Sequence, residues 1–257
     1  MFWPVNKDDF DLYIESCNDF LNDNTTFENF KRDRRFRLVM EHTTHEEIED
    51  FYAKKIKHFP EITKDVIESF RKNDLYNNPN LSYFTEYGIF SPSTFRYMKQ
   101  TIDIYSLVKD VNISTIFEVG GGYGGLCKTI ECLITFNIYY SADMDIVNKL
   151  SQKYLMQFPE VLEKVIYVDC EKLYNFNDID LFISNYAFSE LSFESQLEYY
   201  EKVIMNSKYF YITYNHGWHD NQTDINYKLF INLALKKFDI IVEQDQRSNK
   251  VLYGTSR

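Results

Sequence analysis

The chain has 257 residues, of which 44% are hydrophobic and 26% are charged, a composition typical of a soluble folded protein with an ample core. It carries 28 basic and 39 acidic residues, for a formal charge of −11. A phosphate backbone needs a basic surface, so this balance argues against a nucleic-acid partner.

The beginning of the chain lacks the apolar region of a signal peptide, because residues 6–9 read Asn-Lys-Asp-Asp. No apolar run reaches the length of a membrane span. The four cysteines show no C-x-x-C spacing, which suits a reducing compartment. We therefore expect a cytoplasmic protein. A dense basic run at residues 31–37 is interpreted as a solvated helix face, with a grip on an anionic substrate or a membrane surface as the alternatives.

The first 110 residues are predicted to be mainly helical. Apolar residues recur at helical spacing between residues 8 and 21. Thr44 and Glu47 form a capping box ahead of a second helix. The serine–proline pair at residues 91–92 indicates the N-cap and first position of a longer helix. We expect residues 1–110 to be a helical segment that caps the functional site or forms a dimer interface, the latter in a homo-oligomer.

Strands and helices alternate after residue 112, which predicts a parallel sheet with helices on both faces. The last two strands are separated only by a short polar turn and should form an antiparallel hairpin at one edge. The expected fold is α/β, a doubly wound, mostly parallel, Rossmann-like sheet within residues 111–257. The predicted strands are Thr115–Val119, Ile138–Ala142, Val165–Val168, Leu181–Ser184, Tyr209–Thr213, Phe238–Gln244 and Lys250–Tyr253, and the predicted helices include Leu126–Ile134, Asp145–Phe158 and Phe193–Met205.

The sequence I-F-E-V-G-G-G-Y-G-G at residues 116–125 joins the end of a buried strand to a glycine turn and the start of a helix. Such a turn lets the backbone approach a nucleotide-like ligand closely. A phosphate-binding P-loop is excluded because Leu126, and not lysine, follows the last glycine. Two ligand-binding interpretations are left, beside a packing turn that binds no ligand. One is the G-x-G-x-x-G pattern of dinucleotide-binding proteins, and the other is E-x-G-x-G-x-G, which resembles the S-adenosylmethionine site of the class I methyltransferases.

Glu118, two residues before the first glycine, favours the second interpretation. A carboxylate there would repel the phosphates of a dinucleotide, whereas the amino group and the sulfonium of S-adenosylmethionine are both cationic. The terminal hairpin agrees, because it is the class I methyltransferase arrangement, and a dinucleotide dehydrogenase would usually continue into a second domain. An NAD-dependent oxidoreductase is the more remote alternative, with Asp143 as its ribose-binding acid.

Ligands of open α/β sheets bind beyond the carboxyl ends of the strands. We expect Asp143, after the second strand, to accept the ribose hydroxyls, with Asp145 as the alternative if the strand is shifted. Residues 169–170 should meet the adenine and Asn185 the methionine end, although a helix cap is an equal explanation for each acid. The predicted cofactor-binding residues are Glu118, Gly120, Gly121, Gly122, Asp143, Met144, Asp169, Cys170 and Asn185.

The segment S-N-Y-A-F-S-E-L at residues 184–191 resembles the bacterial and viral sugar O-methyltransferases. E-V-G-G-G-Y-G-G at 118–125, Y-I-T-Y-N at 211–215 and the stretch 91–97 carry the same resemblance. It implies S-adenosylmethionine as methyl donor, S-adenosylhomocysteine as product, and a sugar hydroxyl, nucleotide-activated or glycan-bound, as acceptor. A methyltransferase for another small molecule and a methyltransferase-like scaffold without catalysis are the alternatives.

In-line methyl transfer needs the acceptor oxygen held near the methyl group and a base for its proton. Glu190, within the resembling segment, and His216, after the fifth strand, are the candidate catalytic bases. A helix cap for Glu190 and a solvated loop position for His216 are the structural alternatives. Residues 216–220 also contain a second histidine and an aspartate that could hold a divalent ion, but magnesium prefers oxygen ligands and no metal is expected. The expected acceptor contacts are Arg96, Tyr186, Asn215 and Trp218.

Overall fold

The computed structural model of the chain describes residues 7–40, 44–48, 53–57, 59–84, 86–215, 221–244 and 249–257. Its N-terminal part is helical apart from one short hairpin. The helices are α1 (Lys7–Asn22), α2 (Asn24–Phe27), α3 (Arg34–Arg37), α4 (His45–Glu47), α5 (Ala53–Lys57), α6 (Lys64–Arg71) and α7 (Pro92–Val108), and the hairpin strands are β1 (Ser82–Phe84) and β2 (Gly88–Phe90). The predicted start of α7 is confirmed, because the Ser91 hydroxyl accepts the backbone N–H of Thr94 at 3.1 Å and Pro92 is the first helical residue.

The structure of this part differs from the sequence prediction at two features. The helix expected after Thr44 is represented by α4 and α5, and the side chain of Glu47, the second half of the proposed capping box, lies outside the described residues. The hairpin β1–β2 was not predicted, because strands of three residues are too short to show a periodicity.

Beyond residue 111 the chain forms a seven-stranded sheet with strand order β5-β4-β3-β6-β7-β9-β8. Strands β3 to β7 are parallel, and β9 is inserted antiparallel between β7 and β8, so the predicted mostly parallel sheet with a terminal hairpin is confirmed. The strands are β3 (Thr115–Val119), β4 (Ile138–Asp143), β5 (Val165–Asp169), β6 (Ile179–Asn185), β7 (Ser207–Tyr214), β8 (Phe238–Gln244) and β9 (Lys250–Ser256), and the helices are α8 (Gly125–Ile130), α9 (Asp145–Leu155), α10 (Pro159–Leu162), α11 (Ala187–Glu190), α12 (Phe193–Lys202) and α13 (Asn221–Ala234).

Strand β3 is the switch point of the sheet, because the chain continues from it to β4 on one side and later to β6 on the other. The parallel register pairs Val119 with Ala142 and with Ser184, so the three strands end together. Asp143 is likewise paired with Asp169 at the end of β5. The glycine turn, the acids after β4 and β5 and the segment after β6 therefore meet at one edge of the sheet, where open α/β sheets bind ligands.

The N-terminal segment shares a hydrophobic core with one face of the sheet. Phe30 packs edge-on against Phe36 at a centroid distance of 5.0 Å and against Tyr123, next to the glycines, at 5.4 Å. A second core fills the opposite face around β6, β7 and α13. No helix in the described ranges has the length and apolar character needed to cross a bilayer. All four cysteines are free thiols.

The basic run at residues 31–37 is the solvated face that the sequence indicated at Arg32, Arg34 and Arg37, which are exposed, but not at Lys31. Lys31 is only 2% exposed, and its Nζ donates to the backbone carbonyl of Asn73 at 2.5 Å. The same ammonium lies 4.7 Å from the ring centroid of Tyr154 and 5.1 Å from that of Tyr123. Lys31 therefore joins the N-terminal segment to α9 and the glycine turn, because its stem is buried and its charge meets a carbonyl and two aromatic faces.

We expect Lys31→Met to lower the free energy of unfolding by roughly 2–3 kcal/mol, because it removes a buried charge-assisted hydrogen bond and two cation–π contacts. Urea unfolding measures this change. The matched control is Lys149→Met, which removes an exposed lysine paired with Asp145 at 2.6 Å and should cost about 0.5 kcal/mol or less. Equal losses in the two variants would contradict the structural role of Lys31.

Candidate cofactor and acceptor site

The glycine turn after β3 is held in backbone conformations that favour glycine. Gly120, Gly122 and Gly124 have φ values of +77°, +54° and +88°. A Cβ built on Gly120 would also overlap the Cβ of Ala187, the first residue of α11. The turn is therefore packed directly on the segment that follows β6. Replacing Gly120 by a residue with a Cβ has both a conformational and a steric cost.

We expect Gly120→Ala to lower the free energy of unfolding by roughly 2–4 kcal/mol, from the left-handed backbone and from the overlap with Ala187. The double variant Gly120→Ala/Ala187→Gly should recover the steric part only. Gly88→Ala is the matched control, because its φ is +84° but its nearest neighbour is the flexible guanidinium of Arg71 at 3.4 Å. Urea unfolding of the set tests this, and a double variant no more stable than Gly120→Ala would contradict the contact.

Glu118 lies beneath this turn. Its side chain is 2% exposed, and its Oε2 accepts a hydrogen bond from the Tyr139 hydroxyl at 2.7 Å. A Cβ built on Gly121 would stand 3.0 Å from that oxygen. Burial raises the pKa of Glu118 to about 7, which the hydrogen bond from Tyr139 opposes and the charge of Asp143 reinforces. The observed contacts of Glu118 thus support the turn from the core, and its contact with a cationic ligand group stays a prediction.

Asp143 connects the end of β4 to the glycine turn. Its Oδ2 accepts the backbone N–H of Gly122 at 3.0 Å, and its Oδ1 accepts that of Met144 at 2.8 Å. Burial raises the pKa of the carboxyl to about 6, against the lowering effect of these two bonds. Each oxygen keeps a further lone pair, so the group can accept two more hydrogen bonds. Asp145, the alternative acid, points elsewhere and pairs with Lys149 at 2.6 Å.

The acid after β5 is engaged locally. Asp169 accepts a hydrogen bond from the backbone N–H of Glu171 at 3.0 Å and forms an ion pair with Lys172 at 3.1 Å. Both contacts lower the pKa of Asp169. The backbone N–H of Cys170 donates to the carbonyl of Asp143 at 3.4 Å, which ties the ends of β4 and β5 together. Burial raises the pKa of the Cys170 thiol to about 11, so the thiol is neutral. The contacts expected of this pair with an adenine stay predictions.

Asn185 lies at the end of β6, and only one of the two polar atoms of its side-chain amide is hydrogen-bonded in the described part of the chain. Its Oδ1 accepts the Thr213 hydroxyl at 2.8 Å. Its Nδ2 is buried and has no hydrogen-bond partner within the described part of the chain. A buried donor without a partner costs about 1–3 kcal/mol, so folded proteins rarely keep one without a reason. The register of β6 on β7, which pairs Asn185 with Thr213, could have identified Thr213 as a neighbour of the site.

Tyr186 follows in a strained backbone conformation, with φ +70° and ψ −47°. The guanidinium of Arg96, on α7, lies 5.9 Å from the centroid of its ring. Arg96 also donates to the carbonyl of Met40 at 3.2 Å, and the Met40 side chain packs against Gly122. The predicted acceptor contacts Arg96 and Tyr186 are thus brought together beside the glycine turn. Met40 was missed, because nothing in the local sequence marks a residue 80 positions before the glycines.

The candidate base Glu190 ends helix α11 on the same edge of the sheet. Its Oε1 accepts the side-chain amide of Asn215 at 2.9 Å. The Asn215 backbone N–H donates to the Ser189 hydroxyl at 3.0 Å, and that hydroxyl donates to the Tyr186 carbonyl at 2.5 Å. Burial raises the pKa of Glu190 to about 7, opposed by the bond from Asn215. A carboxyl with this pKa can accept a proton near neutral pH.

The second candidate base, His216, and the expected acceptor contact Trp218 lie outside the described residues. The same holds for residues 217–220, where the sequence allowed a divalent-ion site. Among the residues that the structure describes, no three histidine, cysteine or acidic side chains form a group that could hold a metal ion.

No model of a known protein family matches the chain, and no curated protein matches it in sequence. Solved structures do match. The methyltransferase domain of bacterial CtHen1 is 13% identical, over 61% of this chain and 97% of that one, with a TM-score of 0.48. A SAM-dependent methyltransferase from Aquifex aeolicus is 14% identical, over 62% and 89%, with a TM-score of 0.46.

An rRNA methylase from Streptococcus thermophilus is 15% identical, over 61% of this chain and 93% of that one, with a TM-score of 0.47. Identities this low bear on the fold alone. The strand order β5-β4-β3-β6-β7-β9-β8 and the inserted antiparallel strand β9 are features of the sheet itself. By this topology the chain has a doubly wound, mostly parallel, Rossmann-like fold that ends in an antiparallel hairpin.

Proposed function

We propose that the chain is an S-adenosylmethionine-dependent O-methyltransferase that acts on a sugar hydroxyl. The observation that carries this proposal is the Glu190 carboxyl, whose pKa is about 7 and which is held by Asn215 at the ligand-binding edge of the sheet. A sugar hydroxyl is a weak acid and needs such a base. The choice of a sugar as the acceptor rests on the resemblance of residues 184–191 to the sugar O-methyltransferases. A non-sugar small molecule is the alternative acceptor.

The residues at this edge fit S-adenosylmethionine. Gly120 and Gly122 have the left-handed backbone conformations that glycine favours, and Asp143 has lone pairs left for two ribose hydroxyls. Residues 169–170 would flank the adenine. When bound, S-adenosylmethionine supplies an electrophilic methyl group on a cationic sulfonium.

The chain's own residues would orient the acceptor and take its proton. We propose that Arg96, Tyr186 and Asn215 line the acceptor side, together with His216 and Trp218, which follow β7 in the sequence. Glu190 is the proposed base, because its carboxyl is partly buried, fixed by one hydrogen bond and half ionised near its pKa of about 7. The segment 1–110 is proposed as a cap over the domain 111–257, since Met40 packs on Gly122 and its carbonyl is bound by Arg96.

A screen of nucleotide sugars with methyl-labelled S-adenosylmethionine tests the proposal. Labelled product with at least one sugar, lost in Glu190→Ala, is the expected result. Label on an RNA included in the same screen, and on no sugar, would show that the acceptor is RNA and not a sugar. S-adenosylhomocysteine binding without any product, together with normal biological function of Glu190→Ala, would favour a non-catalytic scaffold.

A further inference from the structure

Two side chains at the end of strand β7, Thr213 and Asn215, each donate a hydrogen bond to a residue at or after the end of β6. The Thr213 hydroxyl binds Oδ1 of Asn185 at 2.8 Å, and the Asn215 amide binds Oε1 of Glu190 at 2.9 Å. Thr213 lies in β7 and Asn215 directly follows the strand, so the Cα atoms of the two residues are at most about 7 Å apart. The Asn185 amide and the Glu190 carboxyl are therefore each held by a side chain at the end of β7.

We infer that Asn185 and Glu190 form a donor–acceptor pair that binds the hydroxyl to be methylated, and that Thr213 is the positioning residue of this pair. The inference rests on the proposed function and deepens it, because it names the class of nucleophile. It also assigns the Asn185 amide to the acceptor instead of to the cofactor.

The hydrogen bond from Thr213 sets the direction of the Asn185 side-chain amide. Thr213 engages Oδ1, so Nδ2 is turned away from β7. Nδ2 is buried and has no partner among the described residues, which is the state expected of a donor whose acceptor is a ligand atom. Without the Thr213 hydroxyl the amide plane would be free to rotate, and Nδ2 of Asn185 would no longer be held in one direction.

A donor beside a carboxylate selects oxygen as the nucleophile. An alcohol satisfies both groups, because its O–H donates to Glu190 and one lone pair accepts from Asn185, while the second lone pair faces the methyl carbon. A neutral amine has one lone pair, which the Asn185 bond would occupy, and an ammonium ion has none. As the O–C bond forms, the methyl–sulfur bond breaks with its electron pair on sulfur, and the hydroxyl proton passes to Glu190.

The test uses a nucleoside-diphosphate amino sugar that offers free hydroxyls and a free amine, with ¹³C-methyl-labelled S-adenosylmethionine. Wild-type protein should place the label on oxygen. Asn185→Asp should lower kcat roughly 10- to 100-fold, as a misplaced nucleophile does, and raise the share of N-methyl product. Thr213→Val should lower kcat roughly tenfold, and Thr213→Ser, which keeps the hydroxyl, should restore it to within about twofold. Asn185→Ser removes the amide without adding a charge. It checks that a loss of activity in Asn185→Asp is not caused by misfolding.

Calorimetry with S-adenosylhomocysteine separates the possible outcomes. We expect its Kd to be the same within about twofold in all four variants. Weakened binding in Asn185→Asp with unchanged kcat would make the amide a cofactor contact and overturn the inference, as would a Thr213→Ser no more active than Thr213→Val. A wild-type protein that binds S-adenosylhomocysteine but methylates no sugar contradicts the proposed function itself, which is a different result.

Discussion

Glu190→Gln is expected to lower kcat by roughly 10²–10⁴, the usual contribution of a positioned general base. Glutamine has the same shape and can still meet Asn215, so the fold and the affinity for S-adenosylhomocysteine should be unchanged. Initial rates of methyl transfer to the best sugar of the screen measure the effect. The control is Glu194→Gln, which alters an exposed carboxylate four residues away and should leave the rate unchanged.

The pH dependence gives a second measure of the same role. A base works in its ionised form, and burial raises the pKa of Glu190 to about 7. The value of kcat/KM should therefore rise about tenfold per pH unit below pH 7 and level off above it. Glu190→Gln should remove this inflection. A wild-type rate that falls as pH rises through 7 would show that the protonated form is needed and would contradict the assignment.

Asp143→Asn is expected to weaken S-adenosylhomocysteine binding roughly 100-fold. It replaces a charged acceptor of two ribose hydroxyls, and hydrogen bonds to charged groups contribute about 1.5–3 kcal/mol each. Because burial raises the pKa of Asp143 to about 6, binding to the wild type should also weaken as pH falls through 6, where the carboxyl gains a proton.

Asp145→Asn is the matched control for this variant. Asp145 lies two residues further on, and its exposed side chain pairs with Lys149. Its replacement should change the Kd by less than about twofold. Equal effects of the two substitutions in calorimetry would remove Asp143 from the cofactor site.

The sheet was predictable because its signals are local. Strand β3 matches the predicted range Thr115–Val119 residue for residue, since an apolar run ended by glycine is unambiguous. The hairpin β8–β9 was predicted from the short polar turn between two apolar runs. Helix α13 was missed, because its first turn reads Asn-Gln-Thr-Asp and shows no apolar spacing.

The site was predictable only in part, because its contacts join residues far apart in sequence. The strand-end rule brought out Asp143 and Asn185 as neighbours of the glycine turn. Nothing in the sequence indicated that Glu118 would turn into the core toward Tyr139, or that Lys31 would be buried. Such outcomes depend on which face of an element meets the core, and this is decided by the tertiary packing.

Isothermal titration calorimetry of the purified chain with S-adenosylhomocysteine and with NAD tests the central claim most directly. The glycine turn and Asp143 predict binding of S-adenosylhomocysteine with a Kd in the micromolar range and no binding of NAD. Heat with NAD and none with S-adenosylhomocysteine would contradict the account and make the chain a dinucleotide-binding protein.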